Sequence, residues 1–236
     1  MDHAGFHHQS INAGRGSEQS DLLLRSKGDR FMEEMMLEAQ ARSHVYGLLA
    51  RITRAEIDAE FLAEMRKPEV IAGLDASGVS LKCLRRTDDK VLLEELATAY
   101  AYLFLLTVNP HESVRRGEGR LWGNHTVAAR DFLEEIGVEP IGEQSLLPDH
   151  VSMELEVMQH LTAEEAAREA GGDEKGAAQY RSLQQRFFHE HVGAWIPDFF
   201  TSARELSNHE FYGQLCDLGF RFVTAEGALL DGRCRT

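Results

Sequence analysis

Apolar residues recur at three- and four-residue spacing in one segment of this chain after another, which leaves little room for anything but helices. Leu92, Leu93, Leu96, Ala99, Tyr100, Leu103 and Phe104 form the widest stripe, broad enough for a helix buried inside a bundle. Asp88 or Asp89 is placed to begin that helix, and Asn109-Pro110 to stop it. The same spacing runs from a cap at Asp29 through Phe31, Met32, Met35, Met36, Ala39, Tyr46, Leu49 and Ile52. The methionines read as core filler rather than an adaptable binding face. Short helices are expected around Phe61, Leu62 and Met65, over Val70 to Leu74, and from Phe199 to Leu206. Longer ones follow Trp122 to Ile136, with Gly137 as C-cap, then Val151 to Leu161, Ala177 to His191, and Phe211 to Phe222. No segment alternates at the period of a strand and no internal repeat is present. The expected fold is all-α, a single compact bundle of about nine or ten helices.

Composition narrows the setting. Hydrophobic residues make up 43% of 236, enough for one sizeable core. Residues 1–28 carry Gly, Ser, Gln, Asn and charges and read as a flexible lead-in to a domain over 29–236. Within that domain a Gly- and Pro-containing linker, 137–148, separates two halves. The net charge of −14 repels phosphate backbones, so nucleic acid is not an expected partner, whereas basic peptides are compatible with it. Cys83, Cys216 and Cys234 form neither a C-x-x-C pair nor a zinc spacing, which suits a reducing compartment. No apolar run is long enough to span a membrane and no charged-then-apolar leader opens the sequence, so a cytoplasmic protein without membrane insertion is expected. His3, His7 and His8 read as solvated tail residues. The basic run Arg115 to Arg120 lacks the ending of a phosphate loop and reads as a mobile surface loop.

Chemistry-bearing residues gather at one helix start. Pro148, Asp149 and His150 precede the stripe Val151, Leu155, Met158 and Leu161. Asp149 is expected to be the N-cap, accepting from the backbone near Ser152. His150 and Glu154 are four apart and share a helix face. A cap with a solvated His–Glu pair explains the spacing equally well on its own.

The order of several motifs supplies the rest. Pro148-Asp149-His150 followed by Glu154-Leu155 resembles the Glu-Pro-Asp-His-x-x-x-Glu-Leu signature of the TorD/DmsD-type chaperones that mature molybdenum enzymes, with Leu147 where that family usually has Glu. Pro110-His111-Glu112-Ser113 resembles its Pro-Tyr-Glu-Ser stretch, with His111 at the usual Tyr. His189, Trp195, Pro197, Phe199 and Phe211-Tyr212 resemble its C-terminal pattern, and the matches run from about Tyr46 to Glu226.

The resemblance implies a non-catalytic chaperone, a monomer or dimer without cofactor. It would bind the twin-arginine signal peptide and apo-form of a molybdopterin oxidoreductase until cofactor insertion is complete. The implied peptide-binding residues are Pro148, Asp149, His150, Glu154, Glu112 and Ser113. Asp149, Glu112 and Glu154 would accept guanidinium forks, and His150 would orient Asp149 or bond peptide backbone. Trp195 and Phe211 are assigned to the core. Two alternatives stand beside this one. A helical metal-dependent enzyme would use Asp149, His150 and Glu154, with Glu156 and His160 or Glu190-His191 as further ligand pairs. A structural adaptor would lack a peptide groove. The general acid–base ingredients are present, but no G-x-S-x-G, H-E-x-x-H, P-loop or dinucleotide fingerprint is.

Overall fold

Asp88 accepts a hydrogen bond from the Val91 backbone N–H at 3.1 Å and opens its helix where the Leu92 stripe begins. A computed structural model describes residues 14–138 and 146–233, with side chains described from Glu33 to Gly232. Among the described residues the chain forms nine α-helices and no strand, as the stripes imply. They are α1 (Gly14–Arg54), α2 (Ala59–Met65), α3 (Pro68–Ala76), α4 (Asp89–Tyr100), α5 (Asn124–Ile136), α6 (Val151–Ala170), α7 (Glu174–Phe187), α8 (Gly193–Leu206) and α9 (Glu210–Arg233). Three wider π-helical segments join them, Ala101–Thr107, Val114–Glu118 and Phe188–Val192.

Several boundaries differ from expectation. The helix expected from Asp29 begins at Gly14 and so reaches back into the segment read as a flexible lead-in. Glu18, Gln19 and Leu22 to Leu24 are good helix formers, which outweigh the glycines. Residues 1–13 lie outside the described residues. So do 139–145, the middle of the expected linker 137–148. Gly137 does close α5, with φ 69, a left-handed value that glycine adopts without penalty. The helix expected from Trp122 begins at Asn124, because Trp122 itself has φ 59. The expected surface loop at Arg115 to Arg120 is in part a wide turn, Val114–Glu118, bent by Gly117 at φ 89.

The long helices pair in a simple way: α1 lies along α6, and α8 along α9. Tyr46, Leu49 and Ile52 of α1 meet Val151, Leu155, Met158 and Leu161 of α6, all without exposed surface. Phe199, Phe200, Phe211 and Tyr212 fill the second half, and Phe104 links it to α4 with ring centroids 6.0 Å from Phe199 and 5.7 Å from Tyr212. Each such side chain contributes about 1.5–3 kcal/mol by leaving water. Trp195 and Phe211 are buried, as expected of core residues. Gly219 lets α9 approach α8: a Cβ there would sit 2.8 Å from the Phe200 ring.

A charged network lies inside the α1, α6, α7 and α9 packing. Arg42 holds Glu226 in a fork at 2.8 Å from Nε and 2.8 Å from Nη2. It also donates to Glu165 at 3.1 Å and to Gln184 at 2.7 Å, while the Tyr46 hydroxyl donates to Glu226 at 2.9 Å. Arg181 adds pairs to Glu165 and Glu169. Every acceptor is met, so burial of these charges is compensated. Arg42→Ala should therefore lower stability by about 3–5 kcal/mol in denaturant unfolding, since it strands buried Glu226. A loss under 1 kcal/mol would mean that the network carries no such weight.

Candidate functional site: a buried carboxylate and histidine hub

The chain leaves α4 through the Ala101–Thr107 π segment and turns at Asn109, whose Oδ1 accepts from the His111 N–H at 3.1 Å. Pro110 to Ser113 then lies against the start of α6. The Glu112 N–H donates to the Asp149 carbonyl at 2.9 Å, and the Val151 N–H donates to the Pro110 carbonyl at 2.8 Å. This small antiparallel bridge between His111 and His150 gives one orphan donor of α6 a partner.

The capping differs from expectation. His150, not Asp149, is the N-cap of α6: its Nδ1 accepts from the Ser152 N–H at 3.1 Å and lies 2.9 Å from the Ser152 hydroxyl. Asp149 points the other way, and its Oδ2 accepts from the Ser113 N–H at 3.1 Å. Asp149 Oδ1 and Ser113 Oγ are buried without a hydrogen-bond partner among the described residues. The His150 ring stands edge-on to His111 at 5.1 Å. Burial, followed by the charges of His111 and Arg54, pushes the His150 pKa down to about 3. Because Nδ1 accepts the Ser152 N–H, the neutral ring carries its proton on Nε2. Burial also lowers the His111 pKa, against an opposing pull from Asp149.

Glu112 is the junction. Its Oε2 lies 2.7 Å from His191 Nδ1, and its Oε1 accepts from Arg116 Nη1 at 2.6 Å, with His125 Nδ1 at 3.4 Å. Burial opposes its ionisation, but the hydrogen bonds from His191 and Arg116 and the charges of His191 and His125 outweigh it and hold the carboxyl below its ordinary range. Arg116 continues to the Glu190 carbonyl at 3.0 Å. Glu118 caps α5 by accepting from the Asn124 and His125 N–H groups at 2.7 and 3.1 Å.

Glu154 completes the hub. Its Oε2 accepts from Trp195 Nε1 at 2.8 Å, but Oε1 meets no donor. Burial, then the Glu112 charge, pushes this carboxyl well above the ordinary range. Two adjacent buried carboxylates cannot both stay charged, and one proton between them settles the conflict. Ligand atoms of Glu112, Glu154 and His191 all lie within 4.8 Å of one another, a spacing compatible with a metal ion. The Arg116 guanidinium already neutralises Glu112 there, which favours the proton over a cation.

The structure thus gathers Glu112, Ser113, Asp149, His150 and Glu154 at one point, with Pro148 half-buried beside them. The five are buried, not solvent-facing, so the solvated pair of His150 and Glu154 is not what forms. Nor do Asp149, His150 and Glu154 make a ligand set. Asp149 and His150 are taken by Ser113 and Ser152, and Glu154 by Trp195. Glu156 pairs instead with Arg54. His189 is half-exposed and pairs with Asp231, away from the hub. The histidine that joins the hub is His191, which the sequence places on the stripe from Ala177 and, with Glu190, among the ligand pairs of the metal alternative. Its position four before Trp195 puts both on one face and could have revealed it. Arg116 and the Trp195 N–H were also missed.

Among the described residues the hub is a set of buried carboxyls held in place by histidine, arginine and tryptophan donors from neighbouring helices. The family model described as nitrate reductase delta subunit matches residues 69–201, more than half of the chain. The chain belongs to that family, in agreement with the TorD-type resemblance of its motifs. It is similar to the chaperone protein TorD of Vibrio cholerae, 24% identical over 217 residues covering 85% of this chain and 96% of that protein. TorD of Photobacterium profundum is 25% identical, covering 85% and 99%, and that of Escherichia coli 25%, covering 77% and 92%. A solved structure described as a candidate redox enzyme maturation protein from Archaeoglobus fulgidus is 18% identical with TM-score 0.47, over 78% of this chain and 93% of that one. The curated relatives are named chaperones, as expected of a non-catalytic protein.

The neutral, buried His150 makes stability depend on acidity with a definite sign. Below about pH 6.5 the unfolded histidine takes up a proton that the folded one refuses until about 3. Stability is complete above that window and falls as pH drops through it, by about 1.4 kcal/mol per unit. His150→Asn keeps an acceptor for Ser152 but does not titrate. Denaturant unfolding between pH 7 and 4 should show a shallower decline for the variant. Parallel curves would contradict the neutral cap.

Proposed function

We propose that this chain is a cytoplasmic chaperone that binds the twin-arginine signal peptide and apo-form of a molybdenum-cofactor oxidoreductase, and holds it until cofactor insertion precedes export. Family membership and the names of the curated relatives support the class. The observation that carries the peptide reading is Asp149: a buried carboxylate with one oxygen satisfied by Ser113 and the other without a donor. A guanidinium brings two parallel N–H donors, which suit that oxygen and the neighbouring Ser113 hydroxyl.

Pro148, Asp149, His150, Glu112, Ser113 and Glu154 take distinct parts in this reading. Asp149 and Ser113 receive an arginine, and Glu112 offers a second charge behind them. Glu154, by giving up its charge, leaves Glu112 as the one charged carboxyl beside it. His150 fixes the helix start from which Asp149 projects, and Pro148 shapes the approach. Because Asp149 is buried, an arginine reaches it only when the bridge between His111 and His150 parts. The two backbone bonds of that bridge are a modest barrier. The net charge of −14 favours approach of a cationic peptide from solution.

Isothermal titration with three peptides tests this. A twin-arginine peptide should bind tightest. A Lys-Lys version keeps the charge but loses the fork, and should bind several-fold more weakly. A version with its apolar stretch made polar should lose more. Added salt should weaken the first two, through screening over about 8–10 Å. Equal affinity for all three would overturn the peptide-reading role.

A further inference from the structure

α4 carries two faces. Leu92, Leu96, Ala99 and Tyr100 point into the core, and Leu103 and Phe104 continue that face into the π segment. The opposite face holds Val91, Glu94, Thr98, Tyr102, Leu105 and Leu106, all exposed. Val91 is 39% exposed, Tyr102 40%, Leu105 65% and Leu106 80%. The spacing of the first five, three or four apart, keeps them on one line.

The π turn produces this exposure. The Val108 N–H donates to the Leu103 carbonyl at 2.8 Å, and the Thr107 hydroxyl donates to the Tyr102 carbonyl at 2.6 Å. The extra residue in the turn presents Leu105 and Leu106 outward together, while Val108 returns to the core. Adjacent exposed leucines held by an unusual turn gain nothing for folding. Such turns occur preferentially where a protein does its work.

The other end of the face is acidic. A groove of about 360 Å³ runs between α4 and the start of α9, where Glu94 and Glu95 face Asn208 and His209. Glu95 is held by Arg86, but the exposed Glu94 carboxylate has no ion pair among the described residues. Acid at one end and aliphatic carbon at the other is the complement of a peptide that is cationic first and apolar after.

We propose that this face of α4 and its π-helical continuation receives the apolar stretch of a client's export leader as a short helix, with Glu94 meeting the cationic flank. The proposal rests on the signal-peptide reading above but assigns the apolar half of the peptide to a surface outside the hub. From Val91 to Leu106 the face runs about 20 Å at helical rise. An apolar leader core of about 7–15 residues fits along that length as a helix. The buried hub residues cannot supply this contact, since none of them presents apolar surface to solvent.

The test is titration of the full chain with the twin-arginine peptide and with its polar-core version. Wild type is compared with Leu105→Ser/Leu106→Ser, Glu94→Lys and a control at another exposed leucine, Leu37→Ser. The double variant should bind the intact peptide at least tenfold more weakly. It should also show no further loss on the polar-core peptide, the coupling expected when both changes remove one contact. Glu94→Lys should weaken binding several-fold and flatten its salt dependence. Leu37→Ser should match wild type. Circular dichroism confirms folding, and Leu106→Ala replaces the double variant should that one unfold. Undiminished binding by the leucine variants, with wild type binding well, overturns this proposal and leaves the signal-peptide reading standing. Failure of wild type to bind overturns both. Conversion of a dimer to a monomer by the leucine changes, with peptide affinity unchanged, would assign the face to a second copy of the chain and likewise overturn it.

Discussion

Glu112 and Glu154 are two carboxyl groups with no exposed surface, side by side, and the chain is arranged so that only one carries charge. Glu112 keeps its charge because His191 and Arg116 meet both of its oxygens. Glu154 gives its own up, with the Trp195 N–H on one oxygen and no donor on the other. Four separate stretches converge there: the turn after α4, the start of α6, the π segment before α8, and α8 itself. Removing any one group would leave a buried polar atom without a partner, so the junction holds as a unit.

Helix α6 carries this arrangement through the molecule. Glu154, Met158, Leu161, Glu165 and Glu169 fall on one face at successive turns, all buried. The lower part of the face meets the Arg42 and Arg181 guanidinium groups, and the upper part meets Trp195 and Glu112. One helix thus joins two buried polar clusters with apolar packing between them. The same design divides labour for function. Buried polar groups fix where Asp149 projects, while the surface near α4 stays free to meet a partner.

Much of the fold was legible in the sequence because helices are local. The Leu92 stripe, the Asp88 cap and the Gly137 stop are each read from neighbouring residues, and each is found. The site was legible only as a list of residues. Glu112 and His191 are 79 positions apart and Ser113 and Asp149 are 36 apart, so spacing along the chain could not show that they meet. A polar residue at a helix start reads as a cap or a solvated group unless its partner is known, so spacing alone puts the cap at Asp149 and leaves His150 open between a solvated pair and a binding residue. The π segments were hidden for a related reason: an extra residue in a turn leaves the apolar pattern almost intact while redirecting Leu105 and Leu106.

The protonated state of Glu154 is what the account stands on, and infrared spectroscopy reads it directly. At pH 7 the folded protein should show the carbonyl stretch of a protonated carboxylic acid, which surface carboxylates do not contribute. That band should vanish in Glu154→Gln, which preserves the hydrogen-bonding shape, and persist in Glu94→Gln, which changes an exposed group. Absence of the band in the wild type, or its survival in Glu154→Gln, would contradict a protonated Glu154 beside a charged Glu112.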